Sequence, residues 1–83
     1  MYYTYVLLSK KDNNFYVGYT DDLKNRIKLH NSGKVKSTAY RLPILLIYYE
    51  SCLNKFDAIK RERYLKTGMG KRYIRNRLGN YFK

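Results

Sequence analysis

Five side chains spread along the chain have chemistry worth following: Tyr5, Tyr16, Arg26, His30 and Glu62. Cleaving a phosphodiester requires charge on the phosphate to be neutralised, a water to give up a proton, and the leaving oxygen to be stabilised. Glu62 can hold a hard divalent ion, Arg26 can stabilise charge on a phosphate, and Tyr16 can take a proton from water if a metal ion or an arginine stands close to its hydroxyl. Tyrosine is otherwise a poor base near neutral pH, so that neighbouring cation is essential to the reading. Glu62 is the only acidic residue from Lys60 to Lys83, in company with nine Lys and Arg, which makes it the anionic anchor of a phosphate-attracting stretch. Its plainer role is a weak exposed ion pair with one of its basic neighbours. Other chemistries lack their residues. The chain has no histidine cluster for zinc, no Walker glycine pattern and no paired aspartates, and a Ser-His-Asp set would have to recruit His30 without a nucleophile elbow.

The elements that must position these residues begin with a hairpin. Tyr3 to Leu8 and Phe15 to Tyr19 are β-rich runs, and the Asp/Asn-rich stretch between them reads as a tight turn. A four-residue turn at Lys10 to Asn13 pairs Ser9 with Asn14 and puts Tyr5 and Tyr16 on one face; a five-residue turn sends them to opposite faces. Thr20 or Asp21 can cap a following helix with Asp21 and Asp22 in its first turn, favourable for the helix dipole. Leu23, Arg26, Ile27 and His30 share one side of that helix, and Gly33 ends it. Gly33 to Pro43 reads as a basic loop with room for one helical turn at Ser37 to Tyr40. Ile44 to Tyr49 is an apolar run of strand length, expected as a central strand covered on both sides. Asn54 can cap a helix over Lys55 to Lys66 with Phe56, Ala58, Ile59 and Leu65 on its apolar side, beside which Glu62 emerges. Thr67 to Gly70 is expected as a loop, followed by a short helix over Lys71 to Leu78 and a released aromatic tail, Tyr81-Phe82.

Composition narrows the partner. Eighteen Lys and Arg against six Asp and Glu give a net charge of +12 on 83 residues, which points to a polyanion, and nucleic acid is the commonest one. The cations expected to meet phosphates are Lys24 on the first helix and Lys34, Lys36 and Arg41 in the basic loop. On the later helices they are Lys60, Arg63, Lys66, Lys71, Arg72, Arg75 and Arg77. No residue set specifies a base sequence, so these contacts set register and salt dependence. A membrane is not expected, since no apolar run approaches 18 residues. The single cysteine, Cys52, offers neither a disulfide framework nor a metal site, and no secretory segment follows Met1, so an intracellular setting is expected.

In their order and spacing, these residues resemble the GIY-YIG nuclease domain over nearly the whole chain. Tyr3-Thr4-Tyr5 stands at the family's first motif and Tyr16-Val17-Gly18 at its second, with Gly18 in a structural role. Arg26 stands at the helical arginine, His30 at the histidine one turn later, and Ala58-Ile59-Lys60-Arg61-Glu62 at the approach to the metal-binding glutamate. Lys66-Thr67-Gly68 and the basic, aromatic segment after it are similar to the small single-domain bacterial branch. Two positions depart from the pattern: Tyr3 replaces a glycine, and the downstream asparagine of several nucleases is matched only by Asn76.

The resemblance implies an α/β (α+β) fold with a three-stranded antiparallel sheet flanked by helices, in one domain over residues 1–83, and a cytoplasmic bacterial setting. It further implies a DNA endonuclease using Mg2+ or Mn2+ held by Glu62, with Tyr16 as general base and Arg26 stabilising the phosphate or leaving group. Tyr5 would position water or hydrogen-bond the phosphate, and His30 would take part in proton transfer. DNA is the first partner, RNA the second, and no protein partner is implied. The alternative is a nuclease-fold DNA- or RNA-binding protein without cleavage activity.

Overall fold

The computed structural model describes residues 1–83. Its element order is β1 (Tyr2–Ser9), β2 (Phe15–Thr20), α1 (Leu23–Asn31), α2 (Lys36–Ala39), β3 (Ile44–Cys52), α3 (Lys55–Leu65) and α4 (Gly68–Arg77). The three strands form one antiparallel sheet in the order β2-β1-β3, and the four helices cover it, so the fold is α+β. Tyr5 lies opposite Gly18 and Leu7 opposite Tyr16. The Ser9 N–H donates to the Asn14 carbonyl at 3.0 Å, and Asn13 takes the left-handed conformation that asparagine tolerates, φ 59°. The turn therefore spans four residues, and Tyr5 and Tyr16 share a face.

Alternation along β1 divides the core in two. Tyr5 and Leu7 point to one face, where they pack with Ile44, Leu23, Ile27 and Leu42 under α1 and α2. Val6 points to the other, packing with Val17 from β2, Leu65 from α3 and Ile74 from α4. Burying side chains such as Leu7, Leu65 and Ile74 contributes about 1.5–3 kcal/mol each. The central strand is β1, buried continuously from Thr4 to Ser9. This corrects the expectation for Ile44 to Tyr49. β3 is an edge strand, bulged where it pairs with Val6 and Leu7, and it leaves Leu45 and Tyr49 exposed.

Helix ends follow their caps. Asp22, not Thr20 or Asp21, caps α1: its Oδ1 accepts from Asn25 N at 3.2 Å, while Thr20 Oγ1 accepts from Asp22 N at 3.1 Å. Asp21 and Asp22 thus precede the first turn. Gly33 follows α1 at φ +76°, in the left-handed region that ends helices. Asn54 caps α3 by accepting from Phe56 N, but Phe56 itself is exposed and leaves the apolar face to Ala58 and Leu65. Thr67 to Gly70 is not a loop. Thr67 Oγ1 accepts from Gly70 N at 3.1 Å and starts α4 there. Gly70 sits so tightly on the end of α3 that an added Cβ would lie 2.7 Å from the Leu65 carbonyl carbon. Its lack of a side chain serves helix packing, not helix breaking. Nor is the aromatic tail released: Phe82 packs on Phe15 with ring centroids 5.9 Å apart, and the Arg75 guanidinium lies over both rings.

Candidate active site

The pairing of Tyr5 with Gly18 decides the local geometry. With no side chain at Gly18, the Tyr5 ring lies across β2; an added Cβ would come within 2.6 Å of Tyr5 Cζ. Directed this way, the Tyr5 hydroxyl reaches His30 Nε2 at 2.9 Å, and His30 Nδ1 lies 2.7 Å from Thr38 Oγ1 on α2. All three side chains are buried. The Tyr16 ring meets the His30 imidazole edge to face, with centroids 5.2 Å apart. Tyr5, Tyr16 and His30 thus form one cluster between the β1–β2 hairpin and α1.

Arg26, one helical turn before His30, brings its guanidinium beside the Tyr5 and Tyr16 hydroxyls. Its pKa is raised first by interaction with Tyr5, with burial opposing and Tyr16 adding. The side-chain hydrogen bonds of the cluster are those of His30, to Tyr5 and to Thr38. Burial pushes the Tyr5 phenol above its ordinary value, against the hydrogen-bonding and charge of Arg26. Burial, with the Arg26 charge second, holds His30 down to about 4, so the imidazole is neutral at pH 7.

Donor and acceptor roles then fall into order. A neutral imidazole carries one N–H and one bare nitrogen, and the Tyr5 hydroxyl donates to the bare nitrogen, His30 Nε2. His30 carries its proton on Nδ1 and donates to Thr38, whose hydroxyl points to the Val35 carbonyl at 3.5 Å. This chain ends on a backbone carbonyl inside the protein. His30 thus stands directly behind the Tyr5 hydroxyl, bonded through both ring nitrogens.

Glu62 comes from α3, which packs on the opposite face of the sheet, yet its charge acts on the Tyr5 hydroxyl. Its side chain is only 16% exposed and pairs with Lys66 Nζ at 3.4 Å. A lysine ammonium therefore stands where Glu62 draws positive charge. No group of three or more His, Cys, Asp or Glu converges anywhere in the chain; a hard divalent ion at Glu62 would have that one carboxylate from the protein and would take its remaining ligands from water and substrate phosphate. Glu62 lines none of the surface clefts. The polar cleft that contains Arg26 is lined with Tyr2, Tyr19 and Lys55.

The expected phosphate contacts divide into two groups. Lys24, Lys34, Lys36, Lys60, Arg63, Lys71, Arg72, Arg75 and Arg77 are exposed. Arg41 is not free: its side chain is 14% exposed, its Nε donates to Asp12 Oδ2 at 3.0 Å and its Nη2 to the Asn14 carbonyl, so it clamps the β1–β2 turn. The carboxyl of Asp12 is held below its ordinary value by the Asn14 backbone N–H first and Arg41 second. Lys66 is engaged with Glu62, and Asn76 is exposed on α4 without a side-chain hydrogen bond to the cluster.

Two features carried no sequence signal. Thr38 meets His30 only through the placement of α2. Glu50 on β3 accepts from Arg61 at 2.7 and 3.3 Å and from the Tyr48 hydroxyl at 2.9 Å, while the Arg61 guanidinium lies over the Tyr64 and Tyr73 rings. Burial first, then hydrogen bonding to Tyr73 and Glu50, raises the Tyr48 phenol. This network ties α3 to β3 and α4, and so fixes the helix that carries Glu62.

Known proteins match this arrangement in sequence. The GIY-YIG catalytic domain family matches residues 1–74. A UPF0213 protein of Lacticaseibacillus paracasei is 48% identical over 66 residues, covering 78% of this chain and 73% of that protein. UPF0213 protein YazA of Bacillus subtilis is 49% identical over 57 residues, 68% of this chain and 58% of YazA. A UPF0213 protein of Staphylococcus haemolyticus is 42% identical over 67 residues, 80% of each chain. Their designation states no activity. No solved structure matches the chain, and no helix is long and apolar enough to cross a membrane.

Proposed function

The chain belongs to the GIY-YIG catalytic domain family, and we propose that it is a divalent-metal-dependent endonuclease that hydrolyses DNA phosphodiesters in the bacterial cytoplasm. The observation that carries this reading is the approach of one guanidinium, Arg26, to two tyrosine hydroxyls, Tyr5 and Tyr16, backed by a buried neutral histidine. A purely structural cluster has no need of an uncompensated arginine beside two phenols.

Each residue then has a task. Arg26 neutralises phosphate charge and stabilises the leaving oxygen, Tyr16 takes the proton of the attacking water, and Tyr5 orients the water or the phosphate. His30 and Thr38 hold Tyr5 in place. Glu62 is the residue that would hold Mg2+ or Mn2+, with Lys66, itself 55% exposed, moving aside. Such an ion, when bound, supplies positive charge at the phosphate and makes a nearby water more acidic. The exposed lysines and arginines hold the backbone of DNA, or of RNA as the second partner.

The second reading is a nucleic-acid-binding protein that does not cleave, favoured by the Glu62–Lys66 pair, which already engages the carboxylate assigned to the metal. Incubation with labelled duplex, nicked, flap, branched and single-stranded DNA, in Mg2+, Mn2+ or chelator, separates the two. The nuclease reading expects cleavage that chelator abolishes and that Glu62→Ala removes while binding persists. Cleavage at an unchanged rate in Glu62→Ala would sink the metal assignment, and binding without cleavage of any substrate would favour the second reading.

A further inference from the structure

We propose that the cleft between α1 and β3 receives one unstacked nucleobase of the nucleic acid whose backbone lies at Arg26. The assignment rests on the nucleic-acid reading above. This is the largest cavity of the molecule, about 820 Å³, and none of Tyr5, Tyr16, Arg26, His30 and Glu62 lines it. Its walls are Leu23 and Ile27 from α1, Leu46 from β3, and Tyr3 and Tyr49 from β1 and β3.

The chemistry of the walls suits a base. Tyr3 and Tyr49 meet edge to face, with centroids 6.1 Å apart, so Tyr49, 53% exposed, is braced instead of free. A braced aromatic ring beside an apolar floor is a stacking platform for any base. Lys24 and Lys28 stand one helical turn apart and line the cleft together with Asp21 and Asp22, so its lining carries no net charge. Affinity for a base comes from the ring and the apolar floor; the two lysines can reach the phosphates on either side of an inserted base, and Asp21 can accept from exocyclic amino groups.

Position supplies the link to the candidate site. Asp21 lines both this cleft and the polar cleft that contains Arg26, so the two are neighbours around the N-terminal end of α1. A strand with its phosphate at Arg26 can place an adjacent base in the cleft by passing Lys24. A base can enter only if it is unpaired, so the cleft favours single strands, flaps or frayed ends over intact duplex.

Binding in the absence of metal tests this without depending on cleavage. Labelled single-stranded and blunt duplex oligonucleotides are titrated by fluorescence anisotropy with wild-type protein, Tyr49→Ala and Tyr49→Phe, each confirmed folded by thermal melting. Tyr49→Ala is expected to weaken single-strand binding by about tenfold, Tyr49→Phe to retain it within about twofold, and neither to change duplex affinity or the salt dependence. Unchanged single-strand affinity in Tyr49→Ala, an equal loss on duplex, or a Tyr49-dependent dimer in ultracentrifugation would overturn the cleft assignment and leave the nuclease reading standing. Failure of cleavage with these binding differences intact would overturn the nuclease reading alone. A wild-type protein that binds neither oligonucleotide would overturn both.

Discussion

The Tyr5 hydroxyl and His30 Nε2 lie 2.9 Å apart, 25 residues distant in the chain, and both side chains are almost completely closed to solvent. Tyr5→Phe removes the donor and leaves His30 Nε2 buried without a partner. Stability should fall by about 1–3 kcal/mol, read from urea denaturation, with cleavage lost and DNA affinity kept. An unchanged denaturation midpoint would show that the bond contributes nothing.

The buried imidazole gives a pH dependence of definite sign. His30 has a pKa of about 4 in the folded protein against an ordinary 6.5, so between those values the unfolded chain binds more protons. Its contribution is complete above pH 6.5 and is lost as pH falls toward 4, amounting to about 3 kcal/mol. His30→Gln should flatten that part of the stability profile. An equally steep profile in the variant would assign the acid sensitivity to other groups.

Three glycines should respond differently to alanine. Gly18→Ala drives a methyl group into the Tyr5 ring, and Gly70→Ala drives one into the end of α3; each should cost about 1–3 kcal/mol, and the first should also abolish cleavage. Gly68 has nothing within 4 Å, and Gly68→Ala should stabilise by up to about 1 kcal/mol. Thermal melting of the three proteins checks this ordering.

Arg26→Lys keeps the charge but loses the planar fork that can address two hydroxyls and a phosphate together. Cleavage should fall by about 100-fold while affinity for DNA changes little. A lysine variant with near wild-type turnover would mean that only charge is needed at this position.

Arg41 and Lys34 both read as phosphate contacts from charge, but their surroundings differ. Arg41→Ala should lower the melting temperature by unpinning the hairpin turn and leave the salt dependence of DNA binding intact. Lys34→Ala should leave melting unchanged and make the salt dependence shallower.

The features that could be read from sequence are those set by local pattern. Period-two alternation and a four-residue turn suffice to bring Tyr5 and Tyr16 to one face, and 3.6-residue spacing suffices to put Arg26 and His30 on one side of α1. What local pattern does not reach depends on partners distant in the chain. An apolar run such as Ile44 to Tyr49 has the composition of a central strand, and its place at the edge depends on which strand β1 accepts on its other side. Gly68 and Gly70 have the composition of a loop until α3 is packed against them. Arg41 has the charge of a phosphate ligand until the turn brings Asp12 within reach. Thr38 is polar in an unpatterned segment, and only three-dimensional placement makes it the partner of His30.

The central position of β1 has a consequence for synthesis on the ribosome. The strand that needs partners on both edges is made before either partner, and β2 arrives first, giving a hairpin that is marginal alone. Until β3 emerges, one edge of the most deeply buried strand remains unpaired, open to other chains. Pairing with β3 closes that edge only after residues 44–52 have been made, and the α3–α4 half of the core comes later still. The nascent protein therefore carries its future centre unprotected until β3 has been made, the interval in which chaperone contact or misassociation is to be expected.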